Sequence, residues 1–254
     1  MTKRVILITG ASGGLAQAII KELPKTDLLL LLGRNKDKLE TLYKEYPNKK
    51  CFQINISDAQ AINSLLLDIY QEFPTIDIVI NNAGFGSFKS FDQYTHQEIE
   101  EMFRVNTLAS IDFSRLIGLK MAEQNHGHIV NIVSMAGLVA TSKSSVYSAT
   151  KFAMIGYSNA LRLELAEKNV YVTTINPGPI KTGFFDQVDP SGQYLKSVNN
   201  FALEPDNVAK KTVAILGKNK RELNLPWTLA VTHLFYSLFP RLSDYLARKV
   251  FNYK

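Results

Sequence analysis

The chain has one cysteine, one tryptophan and four histidines among its 254 residues. A single Cys51 excludes an intramolecular disulfide and a thiolate metal cluster, and points to a reducing compartment. The pair His126-x-His128 has no third ligand near it and leads straight into an apolar run, so no metal site is expected. Met1-Thr2-Lys3-Arg4 precedes only four consecutive apolar residues before Thr9, which is not the pattern of a secretory leader. A cytoplasmic location is expected, and the glycosylation match at Asn55-Ile56-Ser57 is set aside. An acidic surplus is also missing. The net charge is +6, and residues 218–254 hold seven of the 29 basic side chains but only two of the 23 acidic ones. No Arg/Lys stripe interleaves with aromatics, so no nucleic-acid partner is expected.

What the chain does have is an alternation of short apolar runs and helical stretches. The runs 4–9, 27–32, 50–55, 76–80, 128–134 and 170–175 read as strands. The segments 15–23, 37–46, 59–73, 98–123 and 146–168 read as crossover helices. Leu28 to Leu32 is five leucines with no polar alternation, the mark of a parallel strand covered on both faces. The expected fold is a single α/β domain over residues 1–254, a Rossmann-type doubly wound parallel sheet. Residues 184–205, with Asp189-Pro190-Ser191-Gly192, break the alternation and read as a long loop that could cover a substrate. Residues 226–254 form an amphipathic segment in which Trp227, Val231, Leu234, Phe235, Leu238, Leu242, Tyr245 and Leu246 recur at helical spacing.

Thr9-Gly10-Ala11-Ser12-Gly13-Gly14 joins the first strand to a helix, a turn whose backbone N–H groups can face a pyrophosphate. Asn81-Asn82-Ala83-Gly84 follows the fourth strand. Tyr147 and Lys151 stand four apart on one helix, with Ser134 thirteen residues upstream. Tyr46/Lys50 and Tyr245/Lys249 share the four-residue spacing, so the serine and the turn-then-helix setting carry the inference. Together with Asn106, Pro177-Gly178 and Thr182, these motifs resemble the short-chain dehydrogenase/reductase family, in order and over most of the chain. Ala16 replaces that family's third glycine, and Asn55 replaces an aspartate that commonly meets the adenine amino group.

The resemblance implies a nicotinamide dinucleotide held by Gly10, Ser12, Gly13, Gly14 and Leu15 at the first turn and by Arg34, Asn55 and Ile56 around adenosine. Asn82, Ala83, Gly84, Tyr147, Lys151, Pro177, Gly178, Ile180 and Thr182 complete the set. The second strand should deliver Gly33-Arg34 to the adenosine ribose. No acid stands there to repel a 2′-phosphate and Arg34 can fork onto one, so NADP(H) is expected over NAD(H).

Reducing a carbonyl creates an alkoxide, so the site needs an acid aimed at that oxygen. Tyr147 is the candidate. A free phenol titrates near ~10, so working near neutrality needs it lowered by roughly 2–3 units. Lys151, on the same helix face, favours the phenolate. Ser134, at a strand end, can donate to the substrate oxygen, and the resemblance gives Asn106 a water linking Lys151 to solvent. A polar residue in mid-helix also suggests a kink at Asn106. Phe85, Phe88 and Phe91 are candidates either for an apolar substrate pocket or for helix packing.

The expected activity is interconversion of a carbonyl compound and a secondary alcohol, with a catalytically silent cofactor-sensing protein of the same fold as the alternative. Resemblance also implies a homodimer or homotetramer built through the helices of Asn106 and Tyr147. The apolar part of the tail, about thirteen residues between Pro226 and Pro240, is shorter than the ~20 that cross a bilayer. It suits a lid, a subunit contact or peripheral membrane contact through residues 227–254.

Overall fold

The computed structural model describes residues 3–188 and 202–250. Seven parallel strands run β1 (Val5–Ile8), β2 (Leu28–Gly33), β3 (Lys49–Gln53), β4 (Ile78–Asn81), β5 (Gly127–Ile132), β6 (Val170–Pro177) and β7 (Glu222–Leu225). Their order across the sheet is β3-β2-β1-β4-β5-β6-β7. The chain winds outward from β1 in one direction and from β4 in the other. The crevice at the carboxyl ends of these two strands is where such sheets hold ligands.

The leucine run explains how the layers assemble. Leu29 and Leu31 join one apolar cluster, with α1 (Gly14–Glu22) and α8 (Pro205–Val213), while Leu30 and Leu32 join the other. That second face is covered by α3 (Ala59–Glu72), α5 (Ala109–Gln124) and α6 (Ser145–Glu164), through Ile62, Leu66, Phe113, Ile117 and Leu161. With both faces covered, every second residue meets a different helix layer, and each leucine contributes about 1.5–3 kcal/mol. Ala16 is fully buried in the first cluster, so its methyl is packed without disturbing α1.

The remaining helices are α2 (Lys36–Leu42), α4 (His96–Phe103), α7 (Phe184–Val188), α9 (Trp227–Leu238) and α10 (Pro240–Val250). Side-chain caps set several starts: Asn35 accepts from Lys38 N, Asp58 from Gln60 N and Ala61 N, and Thr95 with Glu98 forms a reciprocal box.

Three expectations change here. The helix read over 98–123 is two helices separated by a wide π-turn at Arg104–Leu108, which contains Asn106. The segment 184–205 is not all loop, because Phe184–Val188 is helical; residues 189–201 lie outside the described ones. The tail is two helices, because Pro240 has no N–H to continue the first and Phe239 ends it in a non-helical conformation. Residues 251–254 lie outside the described ones.

At the centre of the sheet is a polar network. Asn81 and Asn131 are register partners on β4 and β5, and Asn81 Nδ2 donates to Asn131 Oδ1 at 2.8 Å and to Ser114 Oγ at 2.9 Å. Asn131 Nδ2 in turn donates to Ser158 Oγ at 2.9 Å. Four elements, α5, β4, β5 and α6, are thereby tied through buried amides.

Candidate active site

The first turn is built for close backbone approach. Gly10 has φ +62°, and a Cβ there would lie 2.8 Å from Ala83 Cα, so only glycine brings the β1 and β4 ends this close. Thr9 Oγ1 accepts from Asn82 N and Ala83 N, both at 3.0 Å, and Asn82 Nδ2 donates to the carbonyls of Thr9 and Gly10. Tyr43 O–H donates to Ala11 O from α2 and braces the turn from outside. Gly13 opens α1 with no side-chain cap, which leaves the first N–H groups without an intrahelical or capping partner. That is an anion seat. Leu15 is buried beneath it, and Gln17 Nε2 donates to Ser12 O. Thr182 closes it from above: a Cβ on Gly14 would lie 3.0 Å from Thr182 Cβ. These residues fit a dinucleotide pyrophosphate, since the first N–H groups of α1 carry no side-chain cap and neither Gly13 nor Gly14 places a side chain over them.

The adenosine side lies where β2 and β3 end together, with Gly33 paired to Gln53 and Ile54 N bonded to Gly33 O at 2.9 Å. Arg34 is exposed and forms no ion pair among the described residues. Ile56 packs on the second cluster. Asn55 makes a local turn. Its Oδ1 accepts from Ser57 N at 3.2 Å and Ser57 Oγ at 2.8 Å.

The second half of the site forms at the β5 and β6 ends. Ser134 follows β5 in extended backbone, with φ 170°. Its Oγ accepts from Ala136 N at 3.0 Å and lies 3.5 Å from Pro177 O, so the hydroxyl proton is only weakly engaged. The next turn packs on α6, where a Cβ on Gly137 would lie 2.8 Å from Lys151 O. That glycine lets the Ser134 turn reach the helix of Tyr147 and Lys151. Lys151 is 5% exposed. Its Nζ donates to Ile132 O at 3.3 Å, lies 5.7 Å from the Tyr147 ring centroid and would be 3.6 Å from a Cβ on Gly84. No carboxylate pairs with it among the described residues, and burial pushes its pKa down to about 8.

Asn106 joins this group by an indirect route. Its Oδ1 accepts from Phe85 N at 2.9 Å, and Nδ2 donates to Phe85 O at 2.8 Å and Thr150 Oγ1 at 3.2 Å. The π-turn aims this amide across at the irregular segment following Gly84, and the side chain is spent on the Phe85 backbone and on Thr150. Around Tyr147, Phe88 stands edge-on at 6.0 Å and Phe184 at 6.1 Å between centroids. Phe91 is 83% exposed and takes no part. Gly178 N donates to Leu225 O at 2.7 Å, and Ile180 bridges to Leu203.

Sequence reasoning missed Tyr43, Gly137 and Thr150. The first acts across 32 residues and the second through a missing methyl; neither leaves a local pattern. The Tyr46/Lys50 pair, with the same spacing, is occupied elsewhere: Tyr46 O–H bonds Pro24 O, while Lys50 pairs with Glu72. His128 is buried against Thr173 and Gly217, and His126 faces Asp77.

A family profile described as short chain dehydrogenase matches residues 4–192. An uncharacterized oxidoreductase of Staphylococcus aureus strain N315 is 30% identical over 223 residues, 87% of this chain and 94% of its own length. A serine dehydrogenase, solved in a closed form with NADP+, is 28% identical with a TM-score of 0.81, covering 88% of this chain and 95% of its own. A xylitol dehydrogenase bound to NAD+ is similar in fold, at 22% identity and TM-score 0.78 over 87% of this chain and 97% of its own. A match that runs from the first strand past the sixth, through every turn described above, leaves one assignment: the chain belongs to the short-chain dehydrogenase family.

Proposed function

We propose that the protein is an NADP(H)-dependent oxidoreductase that interconverts a carbonyl compound and a secondary alcohol. The carrying observation is the buried Lys151 ammonium, which has no carboxylate partner among the described residues, set beside the Tyr147 ring. A desolvated cation costs stability, and it repays that cost where a neighbouring phenol must ionise. When bound, the nicotinamide supplies or accepts the hydride. Tyr147 O–H donates its proton to the carbonyl oxygen as the new C–H bond forms, and the phenolate left behind faces Lys151. Ser134 O–H donates to the same oxygen and fixes its position. In alcohol oxidation the same groups act in reverse. Asn106 is a positioning residue, holding Phe85, and so Gly84, against α6. Phe88 and Phe184 keep water from Tyr147 and favour an apolar substituent beside the carbonyl.

NADP(H) is favoured by this chain's own residues. Arg34 stands exposed at the end of β2 with no ion pair among the described residues, and no acid occupies positions 33 or 34. The NADP+ seen in the serine dehydrogenase is in keeping with this reading. A homodimer or homotetramer is supported by the apolar residues that α5 and α6 leave exposed, Leu119 at 60%, Phe152 at 41% and Leu163 at 77%.

The test is Tyr147→Phe. It should retain the thermal shift given by NADPH while turnover across a carbonyl panel falls by about 10³-fold. Turnover near the parent level removes the mechanism. A parent protein stabilised by NADPH but inert with every carbonyl would instead favour the silent cofactor sensor.

A further inference from the structure

The C-terminal helices have two unlike faces. Inward, Leu229 lies against Gly178, where an added Cβ would be 2.9 Å from Leu229 Cδ1, and His233 Nδ1 is 3.0 Å from Leu138 O. This face holds α9 against the turns that follow β5 and β6. Outward, Trp227, Val231, Leu234 and Leu238 recur at intervals of four, three and four on a single stripe, and they are 73, 55, 59 and 63% exposed. Phe239, Leu242 and Tyr245 extend the stripe onto α10, at 54, 48 and 48%. A run of seven large apolar side chains exceeds the scattered exposure normal for a monomer surface, so it calls for a partner.

Charge selects the partner. Residues 226–254 carry four basic side chains and one acidic one, a net charge of +3, and α9 contains no acid. Arg241 and Arg248 are exposed on α10, beside the apolar stripe; Asp244 is the acidic residue there. A second copy placed on this face would bring two basic rims together, an unfavourable juxtaposition. An anionic lipid surface complements both the rim and the stripe. No helix among the described residues is long and apolar enough to cross a membrane. Twelve residues of α9 span about 18 Å, suited to lying in the plane of the headgroups, with Trp227 and Tyr245 as interfacial side chains.

We infer that the outer face of α9 and α10 docks on an anionic bilayer surface. Binding there needs no turnover, so it stands or fails separately from the reaction proposed above. The test is co-sedimentation of the full chain with phosphatidylcholine vesicles and with phosphatidylglycerol-rich vesicles, at low and high salt. The protein should pellet with the anionic vesicles, less so at high salt and much less with phosphatidylcholine. Leu234→Glu with Leu238→Glu should weaken binding at least ~10-fold while leaving the NADPH thermal shift unchanged, because both side chains point away from the fold. Arg241→Gln and Arg248→Gln, which leave the apolar stripe intact, should each weaken it about fivefold on anionic vesicles alone. Sedimentation with neither composition, or equally with both, overturns the inference. So does light scattering in which the leucine double variant dissociates an oligomer of a parent that ignores vesicles, since a second copy would then be the occupant.

Discussion

Replacing Lys151 by methionine is expected to stabilise the cofactor-free protein at neutral pH and to make the enzyme inert. The ammonium is buried and lacks a carboxylate partner among the described residues, and burial lowers its pKa from 10.5 to about 8. At pH 7 that difference corresponds to about 3 kcal/mol of destabilisation in the folded state. Methionine fills similar space without charge, but it leaves Ile132 O without its Lys151 donor, which returns about 1–3 kcal/mol of the gain. The variant should therefore be about 1 kcal/mol more stable than the parent at pH 7. The folded pKa is the lower one, so the unfolded chain binds more protons between pH 8 and 10.5, and the parent gains stability as pH rises through that window. By pH 9.5 about 2 kcal/mol of the penalty has gone, and the order of stability should reverse. Urea unfolding of both proteins at pH 7 and 9.5, followed by circular dichroism, measures the crossing. A stability difference independent of pH would show that the ammonium is solvated or ion-paired, and the reasoning that makes it the support of a phenolate would fail.

Three further outcomes follow from the geometry. Arg34→Ala should cost about 1.5–3 kcal/mol of NADPH binding and leave NADH unchanged, read as two thermal-shift titrations; an equal loss for both would remove the 2′-phosphate contact. Gly10→Ala must place a Cβ 2.8 Å from Ala83 Cα at φ +62°, so urea unfolding should show a loss of about 1–3 kcal/mol and the NADPH shift should disappear. Asn106→Leu orphans Phe85 N–H and C=O. Hydrogen exchange should speed up at Phe85 and Gly86, with kcat falling more than the NADPH shift; unchanged exchange would deny the residue its positioning role.

Much of this arrangement was legible from local pattern. Five leucines without alternation announce a strand covered on both sides, and Tyr147 with Lys151 must share a helix face because of helical geometry. The parts that were not legible depend on distant partners. Arg104 to Leu108 keeps helical spacing, and the turn widens there because Asn106 reaches back to Phe85. Gly137 acts by lacking a methyl against Lys151 O, and a glycine in a loop does not name its neighbour. Asn55 bonds Ser57, two residues on, a local turn that composition alone does not announce. The tail's periodicity marks an apolar face, yet only Leu229 against Gly178 and His233 beside Leu138 O tell which side is turned inward.

The amides at the centre of the sheet bear on how the chain finds its topology. Asn81 and Asn131 meet only when β4 and β5 pair in the native alignment. A slip of one residue would turn Asn81 to the opposite face, set Ile80 or Asn82 against Asn131, and strand buried amides at about 1–3 kcal/mol each. An apolar pair would tolerate that slip far better. Because Ser114 and Ser158 belong to the helices that precede and follow β5 in the chain, the same bonds also check that both crossovers have closed. The network thus serves as proofreading for strand pairing: a misaligned sheet is rejected at the same carboxyl edge whose turns form the candidate site.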